Sequence, residues 1–98
     1  MAWFRANFEH AIIFANANGG HRDIRTAVTL KKEGVLAGVA DLTILWCDGK
    51  TTWVEMKRQK GGKQSDEQKW FEAFVTERGD KYLLCYGYDD AKKQILGL

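Results

Sequence analysis

Three residues near the middle of the chain have types and spacing that could do chemistry together: Asp41, Glu55 and Lys57. Glu55 and Lys57 belong to a Glu-Met-Lys triplet, so in an extended strand both side chains point to one face. Two carboxylates beside an ammonium make a hard, oxygen-rich site suited to Mg²⁺ or Mn²⁺. A divalent ion there can polarise a phosphate and lower the pKa of a water. The lysine can orient that water and stabilise charge developing on the phosphate. The same residues also admit a plainer reading, a Glu55–Lys57 surface salt bridge next to an aspartate that caps a strand.

Which reading holds depends on the elements that position them. Residues 42–47 are almost wholly apolar and predict a strand buried on both faces. Asp48-Gly49 is a strong hairpin signal, and residues 51–58 predict the returning strand, with Trp53, Glu55 and Lys57 on one face. A two-residue Asp48-Gly49 loop would pair Asp41 with Met56 and turn it away from Glu55. A three-residue loop, Cys47-Asp48-Gly49 with Gly49 left-handed, would pair Asp41 with Glu55 directly. The odd loop, or a bulge with the same effect, is the expectation, because it gathers two carboxylates and an ammonium at one strand end.

Length and composition bound the rest. The chain has 98 residues, enough for one domain (1–98) with one modest core. Its net charge is only +2, so an argument for nucleic acid must rest on where the charges lie. Cys47 and Cys85 sit in apolar runs and read as reduced core residues of a cytoplasmic protein. No apolar run is long enough to span a membrane, and no signal peptide is visible.

Residues 1–10 carry Trp3, Phe4 and Phe8 at a spacing that suits the last turns of a helix. Residues 11–15 predict a strand, 16–22 a turn, and 23–33 a helix stopped by Gly34. The segment 57–63 holds four basic residues and two glycines and reads as a basic loop. Ser65-Asp-Glu-Gln68 has capping-box spacing and starts a helix whose apolar stripe is Trp70, Phe71, Phe74 and Val75, read as core or dimer interface. Residues 81–88 predict a strand parallel to 51–58, and 89–96 a short helix N-capped by Asp89 or Asp90. The expected class is α/β, a small mixed sheet flanked by helices.

Five stretches then stand in order: Asn18-Gly-Gly-His-Arg22, Leu30-Lys-Lys-Glu-Gly34, Ala37-Gly-Val-Ala-Asp41-Leu, Val54-Glu-Met-Lys57 and Ser65-Asp-Glu-Gln68-Lys-Trp70. Over roughly residues 11–96 the chain resembles the virus-type replication-repair nuclease (VRR-Nuc) family of the PD-(D/E)XK nuclease superfamily. That resemblance implies a restriction-endonuclease-like PD-(D/E)XK core and an Mg²⁺- or Mn²⁺-dependent endodeoxyribonuclease. It further implies a homodimer acting on branched DNA, such as a four-way (Holliday) junction, in a bacterial or phage-infected cell. Carried onto this sequence, Asp41, Glu55 and the backbone carbonyl of Met56 would hold the metal, Lys57 would be the catalytic lysine, and Gln68 would stand beside the site. The chain departs from the family at two places. Ala40 replaces the proline before the aspartate, and the glutamate of the family's N-terminal helix has no counterpart, which leaves Glu9 as the nearby acid to stand in as a metal ligand.

Gln68 equally suits a purely structural capping box. Arg22, Arg25, Arg58, Lys60 and Lys63 are the candidate DNA-backbone contacts. His21 suits a solvated turn better than a proton shuttle. Other readings are a nuclease of the same fold acting on flap or linear duplex DNA, a DNA-binding or accessory module of that fold without catalysis, and a small scaffold domain.

Overall fold

The computed structural model describes residues 1–17 and 34–98, so the helix expected over 23–33 and most of the expected 16–22 turn lie outside the described residues. In chain order the elements are α1 (Ala2–Asn7), β1 (Ala11–Ala15), β2 (Leu42–Trp46), β3 (Thr51–Lys57), α2 (Asp66–Glu77), β4 (Lys81–Tyr86) and α3 (Tyr88–Leu96). The four strands form one mixed sheet in the order β1-β2-β3-β4. The first two pairings are antiparallel and β3 runs parallel to β4, as the intervening helix predicts. This is a small α/β fold with helices flanking a mixed sheet.

Strand alternation sorts the side chains between two apolar layers. Ile13, Ile44, Val54 and Cys85 face one side, where Phe4 of α1 and Ala91 and Ile95 of α3 close over them. On that side Trp46 donates its indole N–H to Thr52 Oγ1 at 2.8 Å, which satisfies two polar groups within an apolar layer. Trp53 and Tyr82 face the other side and pack against Phe71 and Val75 of α2, together with Ala40. Trp53 meets Phe71 edge to face at 5.0 Å and anchors its indole N–H on Asp80 Oδ2 at 2.9 Å.

The stripe expected on α2 therefore divides. Phe71 and Val75 are core, whereas Trp70 and Phe74 are 53% and 54% exposed and lie beside each other on the helix surface. Among the described residues the cysteines also divide. Cys85 is buried and Cys47 is exposed in the hairpin turn, so only Cys85 is the expected core thiol. Leu45 is likewise exposed, so β2 is not covered on both faces by the described residues. The last helix begins one residue after Gly87 (φ +92°), with no side-chain cap from Asp89 or Asp90. Asp90 instead turns back to accept from the Tyr86 N–H at 2.8 Å and from Gln94 Nε2 at 3.1 Å.

The segment leading into β2 is held against the first turn of α2. Gly38 has φ +90°, and a Cβ there would overlap the Glu67 carbonyl group. Gly38→Ala combines left-handed strain with that overlap and is expected to lower stability by about 1–3 kcal/mol, read as a fall in the urea midpoint.

Candidate functional site

The hairpin decides which residues meet. Leu42 pairs with Val54 and Leu45 with Thr51. The turn is closed by the Trp46 N–H donating to the Lys50 carbonyl at 3.0 Å and the Gly49 N–H donating to the Trp46 carbonyl at 3.1 Å. The loop is thus Cys47-Asp48-Gly49, with Gly49 at φ +89° and Asp48 Oδ1 accepting from the Lys50 N–H at 3.0 Å. Extending the ladder by one pair sets Asp41 opposite Glu55, as the odd-loop expectation requires. Beyond the last ladder bond, Asp41 Oδ2 accepts from the Met56 N–H at 2.8 Å.

Glu55 lies on the α2 face of β3 and is only 2% exposed. Its Oε1 accepts from Gln68 Nε2 at 2.7 Å and stands 3.6 Å from Lys57 Nζ. Gln68 Oε1 accepts from Lys57 Nζ at 2.8 Å and from the Ser65 N–H at 2.8 Å, while Ser65 Oγ accepts from the Gln68 N–H at 3.2 Å. The capping box and the site contact thus coexist in one amide. Its carbonyl oxygen starts the helix and holds the lysine, and its amino group holds the glutamate. That arrangement fixes where α2 begins relative to β3.

The electrostatics are unbalanced. Among the described residues no donor reaches the buried Glu55 Oε2, and the Asp41 carboxylate is its charged neighbour. Burial, then the nearby Asp41 charge, push the Glu55 pKa up to about 7, against the opposing pull of Lys57. A proton on Glu55 would supply the donor that two ionised carboxylates lack. A divalent cation would offset the same excess of negative charge, and Mg²⁺ commonly takes one or two carboxylates and keeps several waters. The backbone adds a further oxygen. The Lys57 carbonyl points to the β4 side, accepting from the Gly87 N–H at 3.0 Å, so by strand alternation the Met56 carbonyl points to the side of Asp41. These residues fit a hard divalent ion.

Not every expected residue joins them. Glu9 precedes β1, whose first residue pairs with Trp46 at the hairpin end of β2, whereas Asp41 stands at the opposite end of that strand. Five residues of strand, roughly 16 Å, separate the two ends. Among the described residues no group of three or more His, Cys, Asp and Glu side chains is placed to hold a metal. Arg58, Lys60 and Lys63 are exposed on an irregular segment after β3. That segment folds back on the site strand, since a Cβ at Gly62 would stand 2.9 Å from Lys57 Cβ. Arg22, Arg25 and His21 lie outside the described residues.

Two contributors carry no site motif. Asn16 and Thr43 hydrogen-bond around Asp41. The only signal in the sequence is an asparagine placed directly after an apolar strand. Comparison with known proteins returns no matching family model, no matching curated protein and no matching solved structure. The class that can be stated is an α/β domain with an Asp–Glu–Lys–Gln constellation at one end of its sheet. Among the described residues no helix is long and apolar enough to cross a membrane.

Proposed function

We propose that this chain is a metal-dependent DNA endonuclease of the VRR-Nuc type, with a PD-(D/E)XK core, acting on branched DNA as a homodimer in the cytoplasm of a bacterial or phage-infected cell. One observation carries this reading. Asp41, Glu55, Lys57 and Gln68 come from the entrance of β2, the end of β3 and the start of α2, and converge around one buried carboxylate. A salt bridge at a strand end needs neither the Gln68 contacts nor a second carboxylate beside the buried Glu55.

In this reading Asp41, Glu55 and the Met56 carbonyl would hold Mg²⁺ or Mn²⁺. When bound, the ion polarises the phosphate and lowers the pKa of a water. Lys57 orients the attacking water and faces the charge that develops on the phosphate, and Gln68 keeps the ammonium at its station. Arg58, Lys60 and Lys63 grip the backbone beyond the cut. Replacing these three with alanine is expected to weaken DNA binding and to flatten the plot of log K against log salt by roughly 1–3, checked by fluorescence anisotropy between low and moderate salt. One site can only nick, and opposed cuts in a junction need the second site that a twofold dimer supplies.

The absence of Glu9 from the site favours one alternative, an accessory DNA-binding module of the same fold. End-labelled four-way junction, flap and linear duplex, incubated with Mg²⁺, Mn²⁺ or chelator, separate the readings. Metal-dependent paired cuts in the junction, lost in Lys57→Ala, are the expected result. Cuts confined to flap or linear duplex would retain the chemistry and change the target. Salt-sensitive binding with no cutting in either metal would replace the nuclease with the accessory module.

A further inference from the structure

Asp41 stands in a bend one residue before β2, outside the strand ladder. Its neighbour across the sheet is Asn16, because the β1–β2 register ends at Ala15↔Leu42 and the next pair would be Asn16 with Asp41. The Asn16 N–H donates to the Asp41 carbonyl at 2.8 Å. Asn16 Nδ2 donates to the Ala40 carbonyl at 3.0 Å and to Thr43 Oγ1 at 2.7 Å. The buried Thr43 hydroxyl donates back to Asn16 Oδ1 at 3.0 Å.

The placement of those bonds is specific. The Ala40 and Asp41 carbonyls belong to the two peptide planes on either side of the Asp41 Cα. Two planes are free to turn about φ and ψ of Asp41, and both are pinned by the same residue. With φ and ψ held, the direction of the Asp41 Cβ is held, and the bond from the Met56 N–H then fixes the carboxylate. Thr43 orients the amide that does the pinning. Asn16, Asp41 and Glu55 thus form one row across β1, β2 and β3.

We infer that Asn16 is a positioning residue for Asp41, acting with Thr43 as a clamp that aims the carboxylate into the site. Its consequence for metal binding rests on the metal-dependent reading above. Outer groups that orient a metal ligand typically change affinity roughly 10- to 100-fold when removed.

The test uses the full chain and four variants. Asn16→Ala removes the clamp, Asn16→Asp keeps its shape without the amide donor, Thr43→Val keeps shape without the hydroxyl, and Thr43→Ser keeps the hydroxyl. In metal-free protein, hydrogen exchange of the Met56 amide reports whether the Asp41 carboxylate still sits on it. That amide is expected to exchange roughly tenfold faster or more in the first three variants and near wild type in Thr43→Ser, while the other β3 amides keep their protection. A merely structural role would loosen the β3 amides together, and unchanged Met56 exchange in folded Asn16→Asp and Thr43→Val would equally overturn the clamp. Mn²⁺ binding, followed by loss of the free-ion EPR signal, is expected to weaken roughly 10- to 100-fold in the same three variants. On an Asp41→Ala background these substitutions should add nothing further, and a full additional loss there would overturn the clamp. Failure of the wild-type chain to bind Mn²⁺ would overturn the metal reading instead, with the exchange result still deciding the clamp.

Discussion

Lys57→Ala is expected to lower the single-turnover rate of metal-dependent cleavage by roughly 10²–10³-fold with little change in DNA affinity. The ammonium is held 2.8 Å from Gln68 Oε1 and 3.6 Å from Glu55 Oε1, and it is only partly exposed at the open end of β3. It is therefore aimed before substrate arrives. Removing it leaves Gln68 in place through its bonds to Ser65 and Glu55, but takes from the buried Glu55 carboxylate the cation that faces it. Lys57 also opposes the rise in the Glu55 pKa, so the acidic limb of the pH–rate profile should move to higher pH in the variant. A rate within threefold of wild type at saturating metal would remove Lys57 from the chemistry.

The second large effect is on stability and needs no substrate. Glu55 ordinarily titrates at 4.5 and is pushed up to about 7 in the folded chain. Between those values the folded state binds a proton that the unfolded chain has released. Stability therefore falls as pH rises from about 5 to 8, by about 3 kcal/mol in chelator. Glu55→Gln should flatten this part of the profile, and the difference between the two proteins isolates Glu55 from other titrating groups. Adding Mg²⁺ at pH 8 should restore wild-type stability and leave the variant unchanged, since an ion that binds only the folded site stabilises it by mass action. Urea titrations at each pH read both effects. A wild-type profile parallel to that of Glu55→Gln would mean that Asp41 and burial do not act on Glu55 as described.

Much of this arrangement is legible in the sequence, and the exceptions have physical causes. The strands and the capping box are visible because apolar runs, the alternation in β3 and the Ser65–Gln68 spacing are local. Asp48-Gly49 announced a hairpin but not its length. Only the requirement that Asp41 meet Glu55 favoured the three-residue loop that the backbone adopts. The division of the α2 stripe was not legible, because helical spacing identifies neighbours on a helix and not which of them the sheet covers. Phe71 meets Trp53, while Trp70 lies on the exposed side. Asp89 and Asp90 looked like caps, yet Gly87 turns the chain directly from strand to helix and frees Asp90 to hold the end of β4. Asn16 was hidden because its partners, Ala40 and Thr43, are 24 and 27 residues away in sequence.

The hairpin turn also governs which kinds of genetic change the domain can absorb. Lys50 is exposed at the far end of the hairpin from Asp41, so exchanging its side chain should be nearly silent, and exchanging Asp48 should cost only its bond to the Lys50 N–H. Deleting one codon there is different in kind. It would shorten the loop to an even number, leave every residue of the constellation present, and rotate Asp41 to the far face of the sheet. A homologue can therefore diverge in the side chains of this turn, Gly49 apart, while its length stays invariant, and gaps in this turn would separate working relatives from inert ones even where Asp41, Glu55 and Lys57 are all retained.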